Sequence, residues 1–92
     1  MASKRRAKIE IIYDMLKSIQ NKGGRIKPTH LLYKSNLSHT KMKEYVGELM
    51  EKGMMQESAS DDEKKLFMIT DKGLEFLTEY QRVREFSDSF GL

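Results

Sequence analysis

Between Ser38 and Glu44 the chain sets donor, acceptor and cationic side chains at nearly consecutive positions: Ser38, His39, Thr40, Lys41, Lys43 and Glu44. A Lys can donate to the acceptors of guanine, a Thr can touch the thymine methyl, and a Glu can accept from the cytosine amino group. His39, Thr40 and Lys43 are therefore candidates for contact with base edges, while Glu44 serves equally well as an ion-pair partner of Lys41. A second group, Lys27, Thr29, Tyr33 and Lys34, surrounds a short stretch just upstream. Hydroxyls, cations and the free amides of a helix start are the usual ligands of phosphate. Lys4, Arg5, Arg6 and Lys8 open the chain as a basic arm able to neutralise further phosphates, and Lys64 and Lys65 are the cations near an otherwise acidic loop. Any one of these side chains is also at home on a solvated face. Their meaning depends on the elements that hold them.

Those elements are legible from periodicity and punctuation. Ile9, Ile12, Tyr13, Leu16 and Ile19 step by three and four, which predicts a helix over about 7–21. Ile11 and Met15 widen its apolar stripe, enough for two packing partners. Gly23 and Gly24 end it, and 25–27 is long enough for a single rung of strand. Pro28 suits the first turn of a short helix over 28–35, anchored by Leu31 and Leu32. Asn36 tolerates the left-handed conformation that ends such a helix, and Leu37 is expected to point inward. Ser38 is a good N-cap for a helix running to Gly53, with Met42, Tyr45, Val46, Leu49 and Met50 facing the core. Gly47 lies inside that helix at a cost of about 1 kcal/mol relative to Ala. Close packing of a neighbouring helix is the expected reason for it, and close approach to a ligand backbone is the alternative. Residues 54–58 and 65–70 read as two strands of a hairpin joined by the polar loop 59–64, which carries Asp61, Asp62 and Glu63. Thr70 caps a final helix, with Asp71 set against its N-terminal dipole, running to about Phe86 or beyond. Helix, helix, three-residue turn, helix and a two-stranded wing is the outline of an α+β winged helix-turn-helix. In that outline the helix over 38–52 is the one that enters a DNA major groove.

Composition agrees and narrows the alternatives. The chain has 92 residues, enough for one domain, and only 38% hydrophobic residues with no Trp, so its core is expected to be thin and helped by dimerisation. Its formal net charge of +3 is unevenly spread. Residues 1–52 hold twelve Lys/Arg against five Asp/Glu, and residues 53–92 hold five against nine. A basic first half suits a polyanion-binding side. The absence of Cys excludes disulfides, thiolate metal sites and a Cys nucleophile, and two His are too few for a histidine-rich metal site. No Ser or Thr has a His–Asp context, and the glycine pair lacks the rest of a phosphate-binding loop. The expectation is a non-enzymatic protein without metal or cofactor. No apolar run approaches membrane-spanning length and the first residues carry no signal-peptide apolar region, so an intracellular, cytoplasmic place is expected, nucleoid-associated where the protein binds DNA.

The chain resembles the archaeal winged-helix DNA-binding proteins that include the small 10-kDa chromatin-associated type. The resemblance is carried by KRRAKIEIIYDMLKSI (4–19), LLYKSNLSHTKMKEYVGELMEKGMM (31–55) and FMITDKGLEFLTEY (67–80), nearly the whole chain, and most specifically by YKSNLS (33–38) and TDKGLEFL (70–77). It implies a transcription regulator or chromatin protein that binds double-stranded DNA as a homodimer, its C-terminal helix paired with its twin in a coiled coil. The final helix has residues for that role. Phe76, Tyr80, Val83 and Phe90 form one stripe, and Leu74, Leu77 and Phe86 an adjacent one. One stripe is expected to cover the domain core and the other a partner. Phe76, Leu77, Tyr80, Val83, Phe86 and Phe90 are the candidate dimer interface of a single domain whose 1–70 binds DNA and whose 71–92 dimerises. The main rival is a winged helix that assembles with protein rather than DNA, for which the acidic wing speaks. An RNA-binding accessory subunit is a weaker one.

Overall fold

The structure, a computed structural model, describes residues 6–92. Arg5, and Lys4 before it, lie outside the described residues. Helix α1 spans Lys8–Asn21, strand β1 Arg25–Ile26, helix α2 Pro28–Ser35 and helix α3 His39–Glu51. Strands β2 (Met55–Ala59) and β3 (Lys65–Ile69) follow, and helix α4 (Asp71–Ser89) closes the chain. The strands form one antiparallel sheet in the order β1-β3-β2, so the hairpin expected from the sequence gains a third, two-residue strand. Arg25 pairs with Met68 and Ile26 with Phe67 on one side of β3, while Met55 pairs with Ile69 on the other.

Each boundary has a local cause. Gly23 and Gly24 both take positive φ, 84° and 96°, and the Gly24 amide donates to the Ile19 carbonyl at 2.9 Å. The Gly24 carbonyl then accepts from the Ile69 amide, tying the end of α1 to β3. Pro28 occupies the first position of α2, and Asn36 ends it at φ 55°. Ser38 Oγ caps α3 by accepting from the Lys41 amide at 3.2 Å. In the wing loop Glu63 takes φ 63°, and Ser60 joins its two sides: its amide donates to the Lys64 carbonyl at 2.9 Å, and its hydroxyl accepts from the Lys64 amide.

The core lies where α1, α2, α3 and α4 meet the sheet. Met15, Leu16, Ile19, Leu31 and Leu49 are wholly buried, with Ile26, Met55, Phe67, Ile69 and Leu77 nearly so. Leu37 packs on this cluster from the turn, as expected. Helix α1 has its two helical partners in α2 and α4. Ile9 departs from the expected stripe. It is 48% exposed, because the first turn of α1 reaches past the sheet to the flank of α4.

Leu77 is corrected from a partner-facing residue to a core residue: it is 3% exposed, since its side of α4 rests on the domain itself. Gly47 also departs from its expected role. A Cβ there would meet nothing within 4 Å, so no helix packs against it. The glycine that close packing does require is Gly73, where a Cβ would run into the Met54 carbonyl oxygen and the Ile69 side chain. Backbone cannot yield as a side-chain tip can. Gly73→Ala should therefore destabilise the fold by about 1–3 kcal/mol, the range for overpacking a tight site. Thermal melting would show it, and an unchanged Tm would mean that α4 shifts freely on the sheet.

Candidate nucleic-acid interface

Helix α3 is held from behind by Met42, Val46 and Leu49, all buried, and presents the opposite face to solvent. At 100° per residue, Thr40, Lys43, Glu44, Gly47 and Glu51 fall on one outward stripe, and all five are exposed. His39 and Lys41 flank it. Lys41 leans toward α1, bordering a shallow hollow with Arg6, Ile11, Leu37 and Tyr45, and sits 3.6 Å from the Glu44 carboxylate. That pair is exposed and weak. Ser38 is exposed too, with its hydroxyl occupied by the cap.

Around α2, Lys27, Thr29 and Lys34 are exposed, and Tyr33 is 76% exposed, its ring covering none of the core. Among the described residues, Lys27, Lys34, Lys43 and Lys64 form no ion pair with a described carboxylate. Lys65 pairs with Glu57 across the wing at 3.1 Å. The Asp62 carboxyl is held below its ordinary range, first by the hydrogen bond from Ser60 Oγ and least by the charge of Lys27. Asp61, Asp62 and Glu63 are all exposed at the wing tip.

The basic arm is partly consumed by the fold. Arg6 was expected to reach for phosphate. Instead its guanidinium pairs with Asp14 of α1 at 2.6 Å and donates to the Ser35 carbonyl at the end of α2 at 2.7 Å. Lys8 is likewise engaged, 2.7 Å from Glu48 of α3. Forty residues separate Lys8 from Glu48 and no local spacing relates them, so only the packing of α1 on the helical pair reveals the contact. These two cations thus join the start of α1 to α2 and α3.

The Lys8–Glu48 contact titrates in a defined window. The hydrogen bond from Lys8 holds the Glu48 carboxyl below its ordinary 4.5, and the Glu48 carboxylate holds the Lys8 ammonium above its ordinary 10.5. A depressed carboxyl stabilises the fold above its unfolded pKa, and that contribution is lost as pH falls through the folded value. A raised ammonium does so below its unfolded pKa, with the loss as pH rises through the folded value. The Tm difference between wild type and Glu48→Gln should accordingly be full between about pH 4.5 and 10.5, and shrink outside that window. The pair is solvent-accessible, so the difference should also shrink at high salt. A difference independent of both pH and salt would show that Glu48 acts by packing alone.

Comparison with known proteins bears on this geometry. A family model described as winged helix-turn-helix matches residues 5–88. No curated relative matches significantly. Among solved structures, Sso10a-2, a DNA-binding protein from Sulfolobus solfataricus, superposes with a TM-score of 0.73 at 24% identity, covering 94% of this chain and 90% of that one. A winged-helix DNA-binding protein from STIV gives 0.74 at 18% identity, covering 88% and 92%. The PcaV transcriptional regulator from Streptomyces coelicolor, solved with its natural ligand, gives 0.74 at 18% identity, covering 98% and 64%. At these identities the likeness is one of fold. Among the described residues no helix is long and apolar enough to cross a membrane. The helix-turn-helix pair α2–α3, with α3 capped and its outward stripe free, stands beside a hairpin wing, and with the family model matching residues 5–88 the chain belongs to the winged helix-turn-helix family.

Proposed function

We propose that this protein binds double-stranded DNA as a homodimer and acts as a transcription regulator or chromatin-associated protein of the cytoplasm. The observation that carries the reading is the outward stripe of α3, rigidly backed by the core and unoccupied by the fold, with Thr40 and Lys43 in its first half and His39 and Lys41 at its flanks. These are the residues that meet base edges when such a helix lies in the major groove. Lys27, Thr29, Tyr33 and Lys34 about α2, with Arg5, then contact phosphate, and Lys64 and Lys65 do so from the wing. Ser38 holds the first turn of α3 in place. Similar folds described as DNA-binding support the reading.

The test is a gel shift on random-sequence duplex with a salt titration. Affinity should fall with salt, with a log–log slope of about −0.9 per phosphate neutralised. Lys43→Ala should weaken binding by about 1–3 kcal/mol. Salt-insensitive or absent binding would favour the second reading, a protein–protein module. One specific observation favours that rival: the exposed acids Asp61, Asp62 and Glu63 at the wing tip would repel phosphate.

The dimer is supported by the second half of α4. Val83, Phe86 and Phe90 are 60–66% exposed, and the Phe86 and Phe90 rings lie against each other, centroids 5.0 Å apart. Tyr80 is half-buried against Tyr13 and Phe76, and Tyr80 and Phe76 with Ile9, Val83 and the edge of Glu79 line a mostly apolar hollow. A two-fold axis through Val83 would set two α4 helices antiparallel. Phe86 then lies near the partner's Tyr80 and Phe90 near the partner's Phe76, so one apolar tip fills the other's hollow. Val83→Glu with Phe86→Glu leaves the core untouched. It should give a folded monomer by sedimentation with weaker DNA binding, because a monomer offers one recognition helix instead of two about 34 Å apart. A wild type that stays monomeric at every concentration would exclude this pairing.

A further inference from the structure

Gly47 has no structural employment. It lies in the interior of α3, is exposed, and is not among the glycines with positive φ. The space where its Cβ would go is open to 4 Å and beyond. Glycine is among the poorest helix formers, so an unforced glycine here weakens the helix without any return inside the fold. Its place on the surface is specific. Seven residues beyond Thr40 it returns to within about 20° of the same direction and about 10 Å further along the axis, on the centre line of the outward stripe.

We propose that Gly47 is where the backbone of α3 comes closest to DNA, meeting a base edge at the floor of the major groove. The proposal rests on the DNA-binding reading above. A helix with its side chains is about 10–12 Å across, and the major groove is about 12 Å wide, so the side chains of the leading face set how deep the helix can sit. At Gly47 that limit is missing. Glu44 and Glu51 border the gap, and their carboxylates would repel a phosphate. The surface that enters it is thus a base edge carrying an amino group, adenine N6 or cytosine N4, which a neighbouring carboxylate accepts from. Of the three acids of α3, Glu44 and Glu51 lie on the outward stripe on either side of Gly47, whereas Glu48 is paired with Lys8 of α1.

The experiment compares Gly47→Ala, Gly47→Leu and Lys43→Ala on one duplex pool, by thermal melting and by binding across a salt series. Gly47→Ala should raise Tm by about 4–8 °C, as removal of an interior helix glycine does in a domain of this size. Gly47→Leu should fold as well as wild type and bind DNA at least tenfold more weakly with an unchanged salt slope, because no phosphate contact is lost. Lys43→Ala should also weaken binding. If Gly47→Leu binds like wild type while Lys43→Ala is impaired, the DNA reading stands and the role of Gly47 is refuted. Lost affinity accompanied by a shallower salt slope would refute the base-edge contact in favour of a phosphate. A wild type that binds no duplex would remove both readings together.

Discussion

The geometry of the molecule turns on one junction, where α3, the sheet and α4 meet. Thr70 Oγ1 donates to the Gly53 carbonyl at 2.6 Å and accepts from the Gly73 amide at 3.1 Å, so a single hydroxyl joins the exit of α3 to the entry of α4. The Thr70 amide donates to the Met54 carbonyl at 3.2 Å, and that carbonyl in turn occupies the space that a side chain at residue 73 would need. Three backbone segments therefore converge within hydrogen-bonding distance, and only a hydroxyl at 70 and a hydrogen atom at 73 allow it. With the junction closed, α4 can leave the sheet in one direction only. The orientation of α3 relative to α4 follows, and with it the relation between the candidate DNA-reading stripe and the candidate dimer face.

A second constraint comes from α1. Its N-terminal cations are engaged by the neighbouring helices, Arg6 with the end of α2 and Lys8 with the side of α3. Such solvent-accessible contacts, the Arg6 ones part-buried, contribute little stability individually. They join the start of α1 to α2 and α3 beside a core of twelve buried apolar residues among the described ones. Among the described residues, Lys27 and Lys34 around α2, Lys43 on α3 and Lys64 at the wing are among the cations that the fold leaves without a carboxylate partner.

The apolar surface is divided in the same way. The first half of α4 covers the core through Leu77 and Leu74, and the second half extends past the domain, giving the molecule its 48 × 31 × 22 Å shape. Residues beyond Tyr80 make little use of their own chain, although Val83, Phe86 and Phe90 are as apolar as core residues. A small domain buries a smaller share of its surface than a large one, and pairing such a helix is the ordinary remedy. The proposed DNA contact and the proposed dimer thus occupy separate elements joined through the Thr70 junction.

The order and extent of the elements were legible in the sequence because their causes are local. Apolar spacing, Pro28 at a helix start, Asn36 at a helix end, and the hydroxyls of Ser38 and Thr70 as caps act within four residues of themselves; α1, α2 and α3 begin and end within a residue of expectation, and α4 runs on past Phe86 to Ser89. The outward stripe of α3 was legible for the same reason, since helical periodicity alone separates Thr40 and Lys43 from Met42, Val46 and Leu49. Tertiary structure decided what depends on distant parts of the chain. It moved Arg6 and Lys8 from a basic arm into helix contacts, brought β1 onto β3, drew Leu77 into the core and left Ile9 at the edge of α4's hollow. It also assigned the glycines, placing a carbonyl against Gly73 and open space beside Gly47. A residue's own helix fixes which way it points, but only the neighbours that packing brings there determine what it meets.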